Sequence, residues 1–204
     1  MAEWPRDYPA RWSLSEGVAV ERTIVLWHDR RTSSGELCVF ESGGTPRLTG
    51  TVVAAIDRVP HEIRYELVAD RDWHTRRAEI IVRSPEMTRV LSLVADGRGA
   101  WLREGRPMHE LSGCLDIDLG ITPSTNTLAI RRLNLQRGQA KDVYAAWVRF
   151  PDLSLEKLEQ RYEKVDETLY RYSSEGFSAL LSVDEDGVVL DYEGFWQAVA
   201  TTRI

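Results

Sequence analysis

The stretch Leu111-Ser-Gly-Cys-Leu-Asp-Ile-Asp-Leu119 carries the pair of side chains with the most chemistry in the sequence. Alternation along an extended strand puts Leu115, Ile117 and Leu119 on one face and Asp116 with Asp118 on the other, their Cα atoms about 6 to 7 Å apart. Two carboxylates so placed can share a ligand's hydroxyls, hold a cation, or divide an acid and a base task as in glycosidases. The same pattern also fits a solvated strand face whose charges discourage edge pairing. A second dense segment, Thr122-Pro-Ser-Thr-Asn-Thr-Leu-Ala-Ile-Arg-Arg-Leu-Asn-Leu135, opens as a polar loop and reads as a strand over 126–136. Leu128 and Ile130 fall on the opposite parity from Leu133 and Leu135, so the apolar face changes side at Arg131-Arg132, as at a bulge or in a strand buried on both faces. One of these arginines is expected to point inward, with Asp116 and Asp118 as partners; a structural Arg–Asp network and a polar ligand head both fit. Arg76 shares parity with Ala78, Ile80 and Val82, which predicts an arginine heading an apolar face, either anchoring an anionic or polyhydroxylated head group or snorkelling past the strand end.

Other chemistry is sparse. The sequence has no H-E-x-x-H, G-x-S-x-G, P-loop, G-x-G-x-x-G or C-x-x-C pattern. His28, His61, His74 and His109 are scattered, so neither a metal nor a cofactor is expected. The seven tryptophans and seven tyrosines invite stacking on sugar rings, but Trp27, Trp101, Trp147, Tyr65, Tyr144, Tyr170 and Tyr172 fall in expected strands, where packing alone explains them.

The elements that must position these residues are short apolar-alternating segments recurring about every ten residues. Expected strands cover 19–28, 36–42, 48–57, 61–70, 75–83, 87–95, 99–103, 114–119, 126–136, 141–150, 168–173, 177–183 and 187–192. Turns are expected at Ser33-Ser34-Gly35, Ser42-Gly43-Gly44, Asp96-Gly97, Glu104-Gly105, Arg137-Gly138 and Asp186-Gly187. The segment Ser154 to Val165 fits a helical face capped by Ser154 and also a strand, and strand is preferred; a short helix is expected near 194–201. So many strands do not stay flat, which predicts an all-β protein with minor α content: a barrel, half-barrel or strongly curved sheet with a concave face. No internal repeat or linker divides the 204 residues, so a single domain over 1–204 is expected.

The balance of 26 basic against 32 acidic side chains gives a net charge of −6, a field that repels nucleic acid. No apolar run approaches the ~20 residues of a membrane-spanning helix. The start of the chain, Met1 to Pro9, mixes prolines and charges where a secretory signal needs an apolar run. Cys38 and Cys114 lie far apart, which fits two half-buried thiols in a reducing compartment. A cytoplasmic location is the expectation; the oligomeric state is left open.

Several blocks together resemble a known family. Tyr65 with Asp70-Arg-Asp-Trp73-His-Thr-Arg76, the L-x-G-C-x-D-x-D block ending at Asp118, the T-P-x-T-N-T-L-x-I-R-R-L block from Thr122, Gln160-Arg-Tyr162, Tyr170-Arg-Tyr172 and Val183 to Tyr192 resemble the bacterial putative glycolipid-binding family, formerly a domain of unknown function. Ala129 and Glu193 stand where that family is expected to favour proline. The resemblance implies a large curved antiparallel sheet forming an open or incomplete barrel, similar to lipoprotein carriers that shield acyl chains on a concave apolar face. It implies a lipid or glycolipid ligand. On this reading Arg76, Asp116, Asp118, Asn126, Arg131 and Arg132 engage a polar head at the rim. Trp73, Thr125, Tyr162 and Tyr172, which lie in the resembling blocks, complete the candidate ligand-binding set. The alternative is an enzyme of lipid or carbohydrate metabolism using Asp116 and Asp118 as acid and base.

Overall fold

A computed structural model describes residues 20–204; the expectations for the start of the chain lie outside them. The first half is a run of strands: β1 (Glu21–Asp29), β2 (Gly35–Ser42), β3 (Arg47–Ile56), β4 (Val59–Ala69), β5 (Thr75–Arg83), β6 (Thr88–Ala95), β7 (Trp101–Arg103) and β8 (Arg106–Pro107). A 3-10 turn at His109–Leu111 leads into β9 (Asp116–Leu119) and helix α1 (Asn126–Leu133). Then follow β10 (Ala140–Val148), β11 (Leu155–Asp166), β12 (Leu169–Ser174), β13 (Phe177–Val183), β14 (Val189–Tyr192) and β15 (Trp196–Arg203). Among the described residues no helix is long and apolar enough to cross a membrane.

All fifteen strands form one sheet, in the order β8-β7-β6-β5-β4-β3-β2-β1-β15-β14-β13-β12-β11-β10-β9. Neighbours pair antiparallel except β9 and β10, which run parallel because α1 supplies the crossover between them. The sheet is open, with β8 and β9 as its edges. Alternation sets its faces: on β4, Ile63, Tyr65, Leu67 and Ala69 are buried, while Arg64 is exposed. The β3–β4 turn is made by Asp57 and Arg58, both left-handed at φ 51° and 65°, the backbone of a two-residue hairpin built here without glycine.

The concave face of β1–β7 carries Val25, Trp27, Leu48, Ile63, Ile80, Leu91 and Trp101. Ile117 and Leu119 of β9, with Ala146 and Val148 of β10, pack into that same cluster. By strand alternation these residues face away from Asp116 and Asp118. The last strands are therefore rolled inside the first half, one face against β1–β7 and the other toward α1. Along the seam the Thr75 N–H donates to Leu115 O at 3.0 Å, and the Ile117 N–H donates to Thr75 Oγ1 at 3.1 Å. A second cluster lies on the α1 side, built from Ala129, Ile130, Val143, Tyr162, Tyr170, Tyr172, Leu181 and Val189.

Four expectations need correction. Residues 126–133 are helix rather than strand: Asn126 to Ile130 are all buried, and Asn134, left-handed at φ 42°, ends the helix by donating its N–H to Ile130 O. The apparent change of apolar side at Arg131-Arg132 was helical periodicity. The segment near 194–201 is β15 rather than a helix, because it pairs with β1 from Asp29↔Trp196 to Thr23↔Arg203. Arg76 does not head the apolar face: a register shift between Val68 and Ala69 pairs Val68 with Arg77 and Ala69 with Thr75. Thr75 thereby takes the buried position and Arg76 is exposed. Cys38 and Cys114 are fully rather than half buried, and both are free. The preference for strand over 154–165 agrees with β11.

Candidate functional site

Where α1 crosses the concave face, polar side chains from four elements join into one network. Asp116 on β9 receives both arms of Arg132 from α1, Nε to Oδ1 at 2.8 Å and Nη2 to Oδ2 at 2.5 Å. This bidentate pair is nearly closed to water, its side chains 11% and 2% exposed. Two residues along, Asp118 accepts from Gln160 Nε2 of β11 at 2.6 Å and from Thr125 Oγ1 at 3.3 Å. Burial pushes the Asp118 carboxyl up to about 6, with the neighbouring Asp116 charge adding and the two hydrogen bonds opposing. Gln160 Nε2 also donates to Tyr172 Oη at 3.1 Å, and Tyr162 Oη donates to Asn126 Oδ1 at 2.9 Å. The Tyr162 and Tyr172 rings meet edge to face at 5.3 Å. The paired carboxylates of the sequence thus do share a face, but each is bound to its own partners.

Arg131 marks the outer end of α1. Its guanidinium stacks 4.6 Å from the Trp73 ring and donates to Asp186 O and Oδ1 at 3.0 and 2.9 Å. Trp73, in the β4–β5 loop, holds a left-handed φ of 67°, uncommon for a bulky residue. The close approach of α1 to the β13–β14 loop requires Gly187: at φ 74° a Cβ there would meet Ile130 Cγ2 at 3.0 Å. Arg131 therefore ties loops from both halves of the sheet through one helix. Of the candidate residues, Asp116, Asp118, Thr125, Asn126, Arg132, Tyr162 and Tyr172 lie in the network, and Trp73 with Arg131 forms the clamp beside it. Arg76 stands apart, donating to Ala95 O at 3.1 Å and lying 3.7 Å from Asp70 Oδ2.

One functional group was not anticipated. Glu36 alternates with Cys38 and Phe40 on the buried face of β2 and is 1% exposed. Its Oε1 accepts from Tyr65 Oη and its Oε2 from Thr122 Oγ1. Ser124 Oγ lies 2.7 Å from Tyr65 Oη and 2.9 Å from Thr122 Oγ1, and Cys38 Sγ lies 3.2 Å from Tyr65 Oη. Burial pushes the Glu36 carboxyl up to about 7 against those hydrogen bonds. Tyr65 reaches β2 because Gly50 intervenes on β3: a Cβ at Gly50 would sit 2.2 Å from the Tyr65 ring. The available signal was an acidic residue in register with apolar neighbours, masked by its proximity to the Ser33-Ser34-Gly35 turn.

Asp70, Asp72 and His74 bring one metal-ligating atom each within 4.8 Å of one another. Asp70 Oδ1 already accepts the N–H groups of Asp72 and His74 at 3.0 Å each, so a capped turn explains this grouping. Two open surface depressions, about 480 Å³ at the tips of β3–β5 and about 560 Å³ across β10–β12, are lined by residues outside α1.

No curated protein matches the chain. A crystal structure of a DUF1089 family protein from Pseudomonas aeruginosa is similar over 80% of this chain and 91% of that one, with 36% identity and a TM-score of 0.75. The crystal structure of a β-barrel-like protein of the domain of unknown function DUF1849 from Brucella abortus shares the fold, at 10% identity and a TM-score of 0.50 over 91% of this chain and 98% of that one. The family model described as putative glycolipid-binding matches residues 24–198. With the curved sheet, the crossing helix and the L-x-G-C-x-D-x-D and T-P-x-T-N-T-L-x-I-R-R-L blocks meeting in one network, the chain belongs to that putative glycolipid-binding family.

Proposed function

We propose that the protein binds a glycolipid without transforming it, laying an acyl chain against the apolar concave face and setting the polar head among the side chains around α1. The observation that carries this reading is the adjacency of two surfaces: a continuous apolar face from Leu48 to Leu93 and the Asp116–Arg132, Asp118–Gln160 and Trp73–Arg131 groups beside it. Each buried methylene contributes about 0.8 kcal/mol, a gain that is set against ordering of the ligand and against the apolar burial given up by whatever the chain displaces. The concave face is occupied by Leu128 of α1 and by β9, so the acyl chain enters by displacing part of this filling. The continuous sheet supports one binding unit over the described residues 20–204, and the free buried thiols of Cys38 and Cys114 support a reducing, cytoplasmic setting.

The acid–base alternative has less support, because both oxygens of Asp116 are held by Arg132. Native mass spectrometry of the purified chain, before and after addition of a synthetic acyl glycoside, tests the binding reading. The expected result is co-purifying lipid or a one-to-one adduct; a bare chain mass under both conditions overturns it.

A further inference from the structure

The segment leading into α1 serves two carboxyls at once, the buried Glu36 and the half-buried Asp118. Thr122 donates to Glu36, and Ser124 joins the same group through Tyr65. Thr125 donates to Asp118, and Asn126 receives Tyr162. Consecutive residues of one short stretch are thus divided between β2–β4 on one side and β9–β12 on the other. We propose that residues 120–133 are a plug seated on the concave face by the protonatable pair Glu36 and Asp118, and that ionising these two carboxyls unseats it to admit an acyl chain. The identity of the guest rests on the lipid-binding reading; the movement does not.

Two opposing effects act on these groups: burial disfavours their charged forms and is the larger, while the hydrogen bonds donated by Thr122, Tyr65, Thr125 and Gln160 favour them. Glu36 is faced by Cys38 from β2, Tyr65 from β4, and Thr122 with Ser124 from the plug, all neutral hydrogen-bonding groups. Asp118 is faced by Gln160 from β11, Thr125 from the plug and the Asp116–Arg132 pair, whose charges already satisfy each other. The Tyr162, Tyr172 and Tyr192 hydroxyls complete its surroundings, held protonated by burial. A charge on Glu36 is therefore buried among dipoles rather than beside a free cation, which is costly, and a charge on the half-buried Asp118 is costly to a smaller degree. Burial pushes Glu36 to about 7 and Asp118 to about 6, so both protons leave between weakly acidic and weakly alkaline pH.

The remaining attachments are of unequal weight. The bidentate Arg132–Asp116 pair is nearly closed to water, at 11% and 2% exposure, and is the strongest attachment that unseating must break. The Arg131–Asp186 pair is partly open to water, at 27% and 38% exposure, where ion pairs hold weakly. Unseating removes Leu128, Ala129 and Ile130 from the core, leaving an apolar void that is unfavourable unless hydrocarbon fills it. The open state is thus one that an acyl chain stabilises.

Hydrogen–deuterium exchange of the full chain at about pH 5.5 and about pH 8, corrected for intrinsic rates, tests the plug. Peptides covering 120–133 are expected to lose protection about tenfold or more at the higher pH while β2–β4 peptides keep theirs, and the double variant Glu36→Gln/Asp118→Asn is expected to abolish the difference. Equal protection at both values, or an undiminished loss in the double variant, overturns the proposal; if the double variant does not fold, Glu36→Gln alone must reduce the loss. In parallel, dodecyl maltoside below its micellar concentration should bind more tightly at the higher pH. Its failure to bind at either pH overturns the lipid reading, whereas the plug stands or falls on the exchange data.

Discussion

The Glu36 carboxyl shows how one residue sets a property of the whole chain. Its ordinary value is 4.5, and burial raises it to about 7 in the folded protein. The folded state thus retains a proton that the unfolded chain releases. This contribution to stability is complete below about pH 4.5 and is lost as pH rises through about 7, a difference of about 3 kcal/mol at 1.36 kcal/mol per unit. Urea unfolding at about pH 5 and about pH 8 should show this loss in the wild type and a markedly smaller one in Glu36→Gln, which keeps the shape without the charge. At this scale alternation was a good guide where the backbone is regular: Asp116 with Asp118 on one face, and an inward arginine, now identified as Arg132. It failed at Arg76, because a bulge beside Ala69 changes parity in a way that residue types do not announce. It passed over Glu36, since polarity near a turn is ordinarily a surface feature.

Among the elements, α1 departs furthest from the sequence pattern. Eight residues make only about two turns, too few for a helical period to stand out against strand alternation. Its end is better defined than its start: Thr125 makes no side-chain cap bond, whereas Asn134 adopts the left-handed conformation and closes the helix. Asparagine tolerates that conformation, and a β-branched side chain does not. Asn134→Val is therefore expected to lower stability by about 1–2 kcal/mol, and Asn134→Gly to match or exceed the wild type, as read by the thermal unfolding midpoint. A shift of the same sign in both variants would indicate that Asn134 matters through its side-chain amide rather than its backbone. The segment after Gly194 shows the converse error: a stretch with no strong pattern of its own becomes a strand because β1 offers it an edge.

At the scale of the molecule, a single many-stranded open sheet was legible, since this many hairpins do not make a flat sheet, although the strands at 106–107 and 196–203 were not foreseen. The rolling was not, because Leu115, Ile117 and Leu119 against Asp116 and Asp118 reads as one covered and one wet face, whereas Asp116, Ile117 and Leu119 are all buried. An open sheet must protect its edges. The β8 edge is two residues long, and the β9 edge is covered by side chains: Thr75 Oγ1 receives the Ile117 N–H at 3.1 Å and Thr125 Oγ1 the Leu119 N–H at 3.3 Å. Thr75 is fully buried and is the point where the rolled-in end meets the first half. Thr75→Val preserves the volume and strands the Ile117 N–H, a loss of about 1–3 kcal/mol, while Thr75→Ser keeps the acceptor and trades it only for a methyl group. Urea unfolding should therefore place the valine variant well below serine, and amide exchange at Ile117 should quicken in valine alone. If both variants lose the same stability and Ile117 stays protected, the seam is held by packing of Ile117 and Leu119 rather than by the hydroxyl, and the edge of this open sheet is guarded by hydrophobic contact alone.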